Sequence, residues 1–263
     1  MSRRIIRTAG IVAAAVIATV GLAGCRAPDT PPGWSSYTIE RGAHSASVYR
    51  PLGVAGPLEG WVSPGGASRT YDFVFTPTAE YVLTSPTQPE DQFDWNKLPG
   101  FSDCGDFDLA RNGAMFGWRW RTDTSPQVLE LVPYANANGV HQYPSSALVT
   151  LDGDDLAANE PLTYSIGIDG SNYRFAIGGT IRGRTIHETA SLPRSCPGTP
   201  ENAGKWYSGY YFGGTSTAPA RTYAYVRESV DSAALGGSLG SGSGGSSGSV
   251  LGGIESGLGS LSQ

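Results

Sequence analysis

Short runs of β-forming residues, separated by turn-forming residues, make up most of the chain between residues 34 and 231, where helical periodicity is nearly absent. Three runs alternate in side-chain character: YDFVF from Tyr71, YSIGI from Tyr164 and YRFAI from Tyr173. Successive side chains of a strand point to opposite faces. Each run therefore predicts a strand with one apolar, buried face.

Two turn sequences predict β-hairpins. Asp169-Gly170 lies between two alternating runs in SIGIDGSNYRFAIGG, and Asn138-Gly139 lies within VPYANANGVHQYP. Both pairs accept the positive φ angles that a tight hairpin turn requires. Strands at this spacing over about 200 residues suit one domain. They predict an all-β fold, a two-sheet antiparallel β-sandwich of the jelly-roll type.

The first 25 residues have the layout of a secretory signal. A basic start with three arginines precedes an uncharged apolar run over residues 11–22, which is shorter than the roughly 20 residues of a membrane-spanning helix. The segment ends in Leu-Ala-Gly-Cys at Cys25 and resembles the lipobox of bacterial lipoproteins. The resemblance implies that residues 1–24 are removed, that Cys25 carries lipid, and that the protein is anchored in the cell membrane on its extracytoplasmic side.

Composition predicts how the rest of the chain is organised. Residues 25–33 form a Pro-rich spacer before the domain, and residues 232–263 are mostly Gly and Ser, which predicts a disordered tail. Removal of residues 1–24 takes away three arginines and no acid, so the formal net charge moves from −5 to −8. An acidic protein is a poor partner for nucleic acid. It would also not bind an anionic bilayer by charge, so we assign membrane contact to the lipid.

Cys104 and Cys196 are the two cysteines that remain after lipidation. An exported protein enters an oxidising compartment, and an even pair of cysteines there predicts one disulfide. The bond would link the GFSDCGDFD segment to the LPRSCPG segment. A free, nucleophilic Cys104 is the alternative.

The order of several phrases resembles one structural class of bacterial secreted domains. The phrases are LPGFSDCGDFD, FGWRWR, YANANGVHQY, YSIGIDGSNYRFAIGG and YYFGGTSTAP. Between Trp34 and Glu228 they resemble the concanavalin A-like jelly-roll class, which contains lectin-like and laminin-G-like modules, polysaccharide lyases and glucanases. The resemblance implies two curved antiparallel sheets, with any ligand on the concave face or at a loop edge.

The catalytic signatures of that class are missing from the sequence. No Glu-x-Asp-x-x-Glu strand of the retaining glucanases occurs, and RGRTIHE around His187 lacks both the Arg-x-Glu-x-Arg and the Gln-x-His patterns of jelly-roll alginate lyases. His141, beside Gln142 in a predicted hairpin, is a candidate general base. It would need a hydrogen-bonding partner within reach, and a surface histidine is the alternative.

Aromatic and basic side chains alternate from Trp118 to Arg121. Trp118 and Trp120 fall on one face of the predicted strand, and Arg119 and Arg121 fall on the other. Tryptophan rings stack on sugars, and arginines pair with carboxylates such as uronates, so either face is a candidate ligand surface. The alternative is that the tryptophans fill the core and the arginines face solvent.

The aromatic segment near the end of the domain supplies two more candidate ligand residues, Trp206 and Tyr210. Residues 207–212 predict a strand that Gly-Gly and Ala-Pro pairs then interrupt. The RTYAYVRE segment predicts the last strand, with Tyr223 and Tyr225 facing the core.

Acidic residues crowd into the EDQFDWNKLPGFSDCGDFD segment. Ca²⁺ prefers several carboxylate and carbonyl oxygens on a flexible loop, so Asp103, Asp106 and Asp108 are candidate ligands for a possible calcium ion. A solvated acidic loop is the alternative. No other cofactor is indicated, because P-loop, zinc and Gly-x-Ser-x-Gly motifs are missing.

Three functions remain open at this point. The first is a lipid-anchored binding module without chemistry of its own, which recognises glycan or cell-envelope polysaccharide. The second is a carbohydrate-active lyase or hydrolase, with a site built from Arg119, Arg121, His141, Gln142 and Tyr210. The third is a scaffold lipoprotein that serves an envelope complex through protein contacts.

Overall fold

The structure, a computed structural model, describes residues 30–51, 60–62 and 66–228, with backbone alone at positions 61 and 62. The predicted signal peptide, the lipidation site at Cys25, most of the spacer and the Gly/Ser tail lie outside the described residues. The predicted division of the chain into these parts stays a prediction. Within the described residues, no helix is long and apolar enough to cross a membrane.

Strands make up nearly all of the regular structure. In chain order they are β1 (Ser35–Ile39), β2 (Ser47–Tyr49), β3 (Gly60–Val62), β4 (Ser68–Phe75), β5 (Asn96–Lys97), β6 (Gly100–Ser102), β7 (Gly113–Arg121), β8 (Val128–Ala137), β9 (Val140–Gln142), β10 (Val149–Asp152), β11 (Leu162–Asp169), β12 (Asn172–Ile181), β13 (Arg184–Pro193), β14 (Lys205–Ser208) and β15 (Thr222–Glu228). The helical segments are the 3-10 turns Pro77–Ala79 and Pro89–Phe93 and the helix α1 (Gly153–Ala157).

The strands form two antiparallel sheets. The first has the order β13-β12-β11-β4-β15-β1-β2, and the second has the order β10-β8-β7-β6-β14-β3. The short strands β5 and β9 extend the second sheet beside β7 and β8. The prediction of a two-sheet antiparallel β-sandwich is confirmed.

The main core is largely aromatic, as the alternating sequence predicts. The YDFVF run lies in β4, and its buried rings Tyr71, Phe73 and Phe75 point inward. From β7, Phe116 and Trp118 join the same cluster. Full burial of one such ring contributes about 1.5–3 kcal/mol to the free energy of unfolding. The predicted inward faces of YSIGI and YRFAI are likewise confirmed.

Both predicted hairpins are present, and the Asn138-Gly139 turn has the expected geometry. Asn138 and Gly139 have φ angles of 53° and 80° between β8 and β9, and Ala137 pairs with Val140 across the turn. In the second hairpin Asp169 pairs with Asn172, so the turn residues are Gly170, with a φ of 58°, and Ser171, not Asp169 and Gly170 as predicted. These positive φ values are the ones for which Asn and Gly are favoured.

The last strand departs from the prediction in its orientation. Ala224 and Val226 face the main core, whereas Tyr223 and Tyr225 lie on the opposite face of the first sheet. There they form a separate small cluster with Trp34 and Val74. The prediction of which β15 residues face the core is therefore wrong. The smaller residues Ala224 and Val226 fit between the large rings of the core.

The strand predicted over residues 207–212 also has different bounds. β14 ends at Ser208, and Tyr211 forms only isolated bridges to Ser45 and Lys97. The chain leaves the sheet there, and a bend at Gly214, with a φ of 72°, follows.

The predicted disulfide between Cys104 and Cys196 is confirmed, and it lies beside a buried ionic cluster. Asp103 accepts hydrogen bonds from Arg194 and from Lys205 Nζ, the latter at 3.2 Å, and Tyr173 Oη donates to it at 3.0 Å. Burial opposes ionisation of Asp103. Because the hydrogen bond from Arg194 and the charge of Lys205 outweigh burial, the pKa of Asp103 stays below its ordinary value.

Removal of the disulfide should lower stability markedly. The bond closes a loop with a sequence separation of 92. On the chain-entropy model, the double substitution Cys104→Ser with Cys196→Ser lowers the free energy of unfolding by about 4–5 kcal/mol. Urea denaturation followed by tryptophan fluorescence measures this loss. The control is Cys25→Ser, which leaves the disulfide intact, and equal denaturation midpoints for the two variants would contradict the prediction.

Candidate functional site

A cleft of about 650 Å³ opens on the side of the second sheet that points away from the core. Met115 of β7 and Tyr134 of β8 are directly paired and line its floor. Their chain neighbours Ala114 and Ala135 belong to the main core. The two faces of this sheet therefore have separate uses, one in the core and one in the cleft.

Aromatic rings form much of the cleft wall. Trp206, Tyr143 and Tyr211 line it and are 44%, 47% and 40% exposed, respectively. Tyr143 stacks on Tyr134 with ring centroids 5.4 Å apart, and the edge of Trp95 meets Tyr143 at 5.8 Å. Exposed apolar side chains that cluster in one patch mark binding surfaces.

Lys97 places a cation inside this aromatic wall. Its Nζ lies 4.1 Å from the centre of the Tyr134 ring and donates a hydrogen bond to the carbonyl of Trp95. Within the described residues it forms no ion pair with a carboxylate. Burial lowers the pKa of Lys97 from its ordinary value of 10.5 to about 8, and the charge of Asp94 only partly offsets this effect.

Asp94 shows the opposite shift at the same wall. Burial raises its pKa, and the neighbouring charge of Asp91 raises it further, while Lys97 and His141 act in the other direction. A lysine and a carboxyl group whose pKa values are both displaced therefore share one cleft. Such groups are characteristic of functional sites.

His141 meets a hydrogen-bonding partner from the neighbouring strand. Its Nδ1 lies 2.7 Å from Oδ1 of Asn136, a buried residue of β8. Nδ2 of Asn136 donates to the carbonyl of Leu109 at 2.8 Å. The partner that a general base at His141 would need is thus present.

The segment that leaves β14 closes the other side of the cleft. Tyr211 exchanges backbone hydrogen bonds with Lys97, at 2.8 Å and 3.0 Å, and its ring stacks on His44 at 5.5 Å. Gly213 donates to Oδ1 of Asn96 at 2.8 Å. A Cβ at Gly213 would lie 2.0 Å from the Trp95 carbonyl oxygen, so only glycine permits this approach.

Trp118 and Trp120, considered as ligand residues, are buried in the main core. Trp118 stacks on Tyr210 with ring centroids 5.4 Å apart. Neither tryptophan can reach a ligand, because both fall on the core-facing side of β7. Their assignment as ligand contacts is therefore corrected.

The arginines of the same strand are occupied by acidic partners. Arg119 and Arg121 both pair with Glu130 of β8, at 2.7 Å and 3.0 Å, and Arg121 also pairs with Asp123. Neither lines the cleft. Arg119 instead packs against a residue of the cleft wall, because its guanidinium lies 4.0 Å from the centre of the Trp95 ring.

Three of the other predicted residues meet at the cleft, whereas Gln142 of β9 is not among its lining residues. His141, Trp206 and Tyr210 all line it, although Tyr210 is buried and offers little surface to a ligand. Sequence reasoning missed several lining residues, namely Lys97, Tyr134, Asn136, Tyr143 and Tyr211. Among these residues, only Tyr143 could have been found from local sequence, because it lies two positions after the candidate base His141.

The calcium prediction fails at Asp103, because cationic and phenolic donors occupy both of its oxygens. Asp103 also lies close to both cysteines, but their sulfurs are bonded to each other and are not free metal ligands. Asp106 and Asp108 accept backbone hydrogen bonds from Asp108 and Ala110 within their own loop. A calcium role for these two residues stays a prediction.

Lys97 should titrate near pH 8. The chain has two lysines, and Lys205 is fully buried, so reductive methylation with ¹³C-formaldehyde labels the Lys97 amine selectively within the described domain. The NMR signal should move with a midpoint of about 8. The variant Asp94→Asn should lower the midpoint, since a charge that raises the pKa is removed. Lys97→Met, which removes the signal, is the control, and a midpoint near 10.5 would contradict the prediction.

Comparisons with known proteins find structural neighbours of low similarity. The alginate lyase Aly36B matches 74% of this chain and 79% of its own, with 17% identity and a TM-score of 0.38. An alginate lyase from Klebsiella pneumoniae has 12% identity and a TM-score of 0.40 over 62% of this chain and 58% of that chain. A Bacteroides ovatus GH16 protein in complex with a product has 12% identity and a TM-score of 0.35 over 73% and 79% of the two chains. No protein-family model matches the chain, and no curated protein is significantly similar to it. At such values these matches carry no argument about activity, and the sandwich architecture rests on the strands described above.

Proposed function

We propose that the cleft binds a polysaccharide chain and that the protein is a carbohydrate-active enzyme, a lyase that acts on uronate-containing chains. The observation that carries the proposal is the position of Lys97 inside an aromatic cleft, where this cation has a lowered pKa and forms no ion pair with a carboxylate of the described residues. An anionic ligand group would supply the missing partner. Perturbed titratable groups in a cleft are functional-site candidates.

The walls of the cleft suit sugar rings. Trp206, Tyr143 and Tyr211 present exposed faces, and the apolar faces of sugars stack on such rings. A volume of about 650 Å³ lies in the usual range of ligand sites. The cleft therefore has room for a short stretch of a glycan chain.

The polar groups supply the parts of a β-elimination. The Lys97 ammonium pairs with the uronate carboxylate, which makes the adjacent C5 proton more acidic. The His141 imidazole takes that proton, the C5–H electron pair forms the C4=C5 double bond, and the C4–O bond breaks. A phenol from Tyr143 or Tyr211 gives its proton to the leaving oxygen.

Glycoside hydrolysis fits the cleft less well. Hydrolases of both stereochemical classes normally use two carboxyl groups that flank the scissile bond. Asp94 is the one acidic side chain among the described residues that line the cleft. Elimination needs no second carboxylate, so it agrees better with this lining.

Recognition without chemistry is the second candidate, and the three exposed rings favour it. Stacking on Trp206, Tyr143 and Tyr211 is sufficient to hold a glycan whether or not a bond is broken. In either case we propose that a lipid at Cys25 anchors the domain at the extracytoplasmic face of the cell membrane. Labelled palmitate that is incorporated into the chain but not into Cys25→Ser would support the anchor.

Elimination is tested with the purified full chain in detergent, incubated with alginate, polygalacturonate and a neutral mixed-linkage glucan. We expect ultraviolet absorbance of an unsaturated uronate product with at least one acidic chain. Lys97→Met and His141→Ala should each lower kcat/KM by about 10²–10⁴-fold. His187→Ala, on β13 and outside the cleft lining, is the matched control and should retain full activity. Activity that survives both cleft substitutions would refute the proposed mechanism.

Binding separates the two candidates. Trp206→Ala should raise Kd for the bound chain about tenfold, which corresponds to ~1.4 kcal/mol. Binding to an acidic chain should also weaken as pH rises through about 8, because Lys97 loses its charge there. Isothermal titration calorimetry measures both effects. Binding with these dependences but without product would favour recognition, and lack of binding to every acidic and neutral chain would overturn both candidates.

A further inference from the structure

The side-chain amide of Asn136 has one orientation that satisfies its two partners. One end of the amide faces the Leu109 carbonyl oxygen at 2.8 Å, and a carbonyl oxygen can only accept a hydrogen bond. The NH₂ group must therefore face Leu109, and Oδ1 faces His141 Nδ1 at 2.7 Å. Asn136 is 4% exposed, so water does not offer an alternative arrangement.

This orientation fixes the proton on the His141 ring. An amide oxygen carries no hydrogen, so Nδ1 of His141 must be the donor in the bond of 2.7 Å. In a neutral imidazole one nitrogen is a donor and the other holds a lone pair. Nε2 of His141 is then the basic atom. In free histidine the opposite tautomer, protonated at Nε2, predominates.

We propose that Asn136 is a positioning residue that holds neutral His141 in the tautomer protonated at Nδ1 and so keeps Nε2 available as the base. The inference rests on the proposed function, because it assigns Nε2 the proton that elimination removes from the sugar. The hydrogen bonds run from the Leu109 carbonyl through Asn136 to the His141 ring, so Asn136 acts on the reaction through His141.

The Leu109 carbonyl belongs to a loop that is fixed at several points. Asn112 Oδ1 accepts from the backbone N–H of Asn138 at 2.9 Å and from Ser195 Oγ at 2.6 Å. Gly139 N–H donates to the Arg111 carbonyl at 2.8 Å. These bonds join the loop to the β8–β9 hairpin that carries His141. These bonds therefore fix the Leu109 carbonyl, the Asn136 amide and the His141 ring relative to one another.

His44 offers an internal reference for the measurement. Its Nδ1 lies 2.8 Å from the carbonyl oxygen of Phe212, which can only accept. His44 should therefore also be protonated at Nδ1 when neutral, independently of Asn136. The chain contains three histidines, so a ring-¹⁵N spectrum is simple to assign with His141→Gln and His187→Ala.

The test is a long-range ¹H–¹⁵N correlation spectrum of the full chain in detergent, recorded at a pH at which the imidazoles are neutral. We expect Nδ1 protonation at both His141 and His44. In Asn136→Leu, a substitution of similar size, His141 should shift to the tautomer protonated at Nε2 while His44 stays unchanged. A wild-type His141 protonated at Nε2 would overturn the proposal, even if the variant does not fold.

Activity supplies a second readout. Asn136→Leu should lower kcat on the order of 10²–10³-fold with little change in KM, since the substitution removes a correctly placed base rather than a binding contact. A shifted tautomer with unchanged kcat would refute the positioning role. If no polysaccharide is cleaved by the wild type, the proposed function fails, whereas the tautomer is still decided by the spectrum.

Discussion

The buried carboxylate of Asp103 joins three separate parts of this sandwich through its bonds to Tyr173, Arg194 and Lys205. Arg194 and Lys205 contribute two positive charges against its single negative one, and all three side chains are excluded from water. Removing the Asp103 carboxylate from this buried cluster costs about 3–5 kcal/mol, because its positive partners are left without compensation. The cluster thus ties β14 and the segment after β13 to the end of β6.

The same ionic cluster helps to position the residues of the cleft. Lys205 is buried in the cluster, and the next residue of β14, Trp206, therefore points to the opposite face of the sheet. The backbone N–H of Trp206 donates a hydrogen bond to Ser102 Oγ at 2.8 Å. On the other side, the loop that begins at the disulfide returns to Asn112 and ends against the β8–β9 hairpin. His141, Asn136 and the aromatic wall therefore depend on contacts made outside the cleft itself.

Local sequence patterns predicted more of the strands than of the site. Alternation predicted the inward faces of β4, β11 and β12, and Asn-Gly and Asp-Gly predicted the hairpins, because these signals act between neighbours in sequence. The orientation of β15 depends on which residues fit opposite the core rings, which no local pattern reveals. The cleft joins Lys97, from a strand of two residues, to Tyr211, more than a hundred positions later. Such pairing is visible only in the folded chain.

Strand β7 explains why a lysine, and neither neighbouring arginine, is the cation of the cleft. Alternation sends Trp118 into the core and Arg119 to the outer face, where Glu130 neutralises it while its guanidinium packs under Trp95. Arg119 is therefore already paired with an acid and packed against the aromatic wall, so its charge is not available to a ligand in the cleft. Lys97 remains with a carbonyl and a ring as its contacts, and a bound carboxylate would be its first strong ionic partner. Because binding would then restore the charge that burial disfavours, anion affinity and the protonation state of Lys97 are thermodynamically linked.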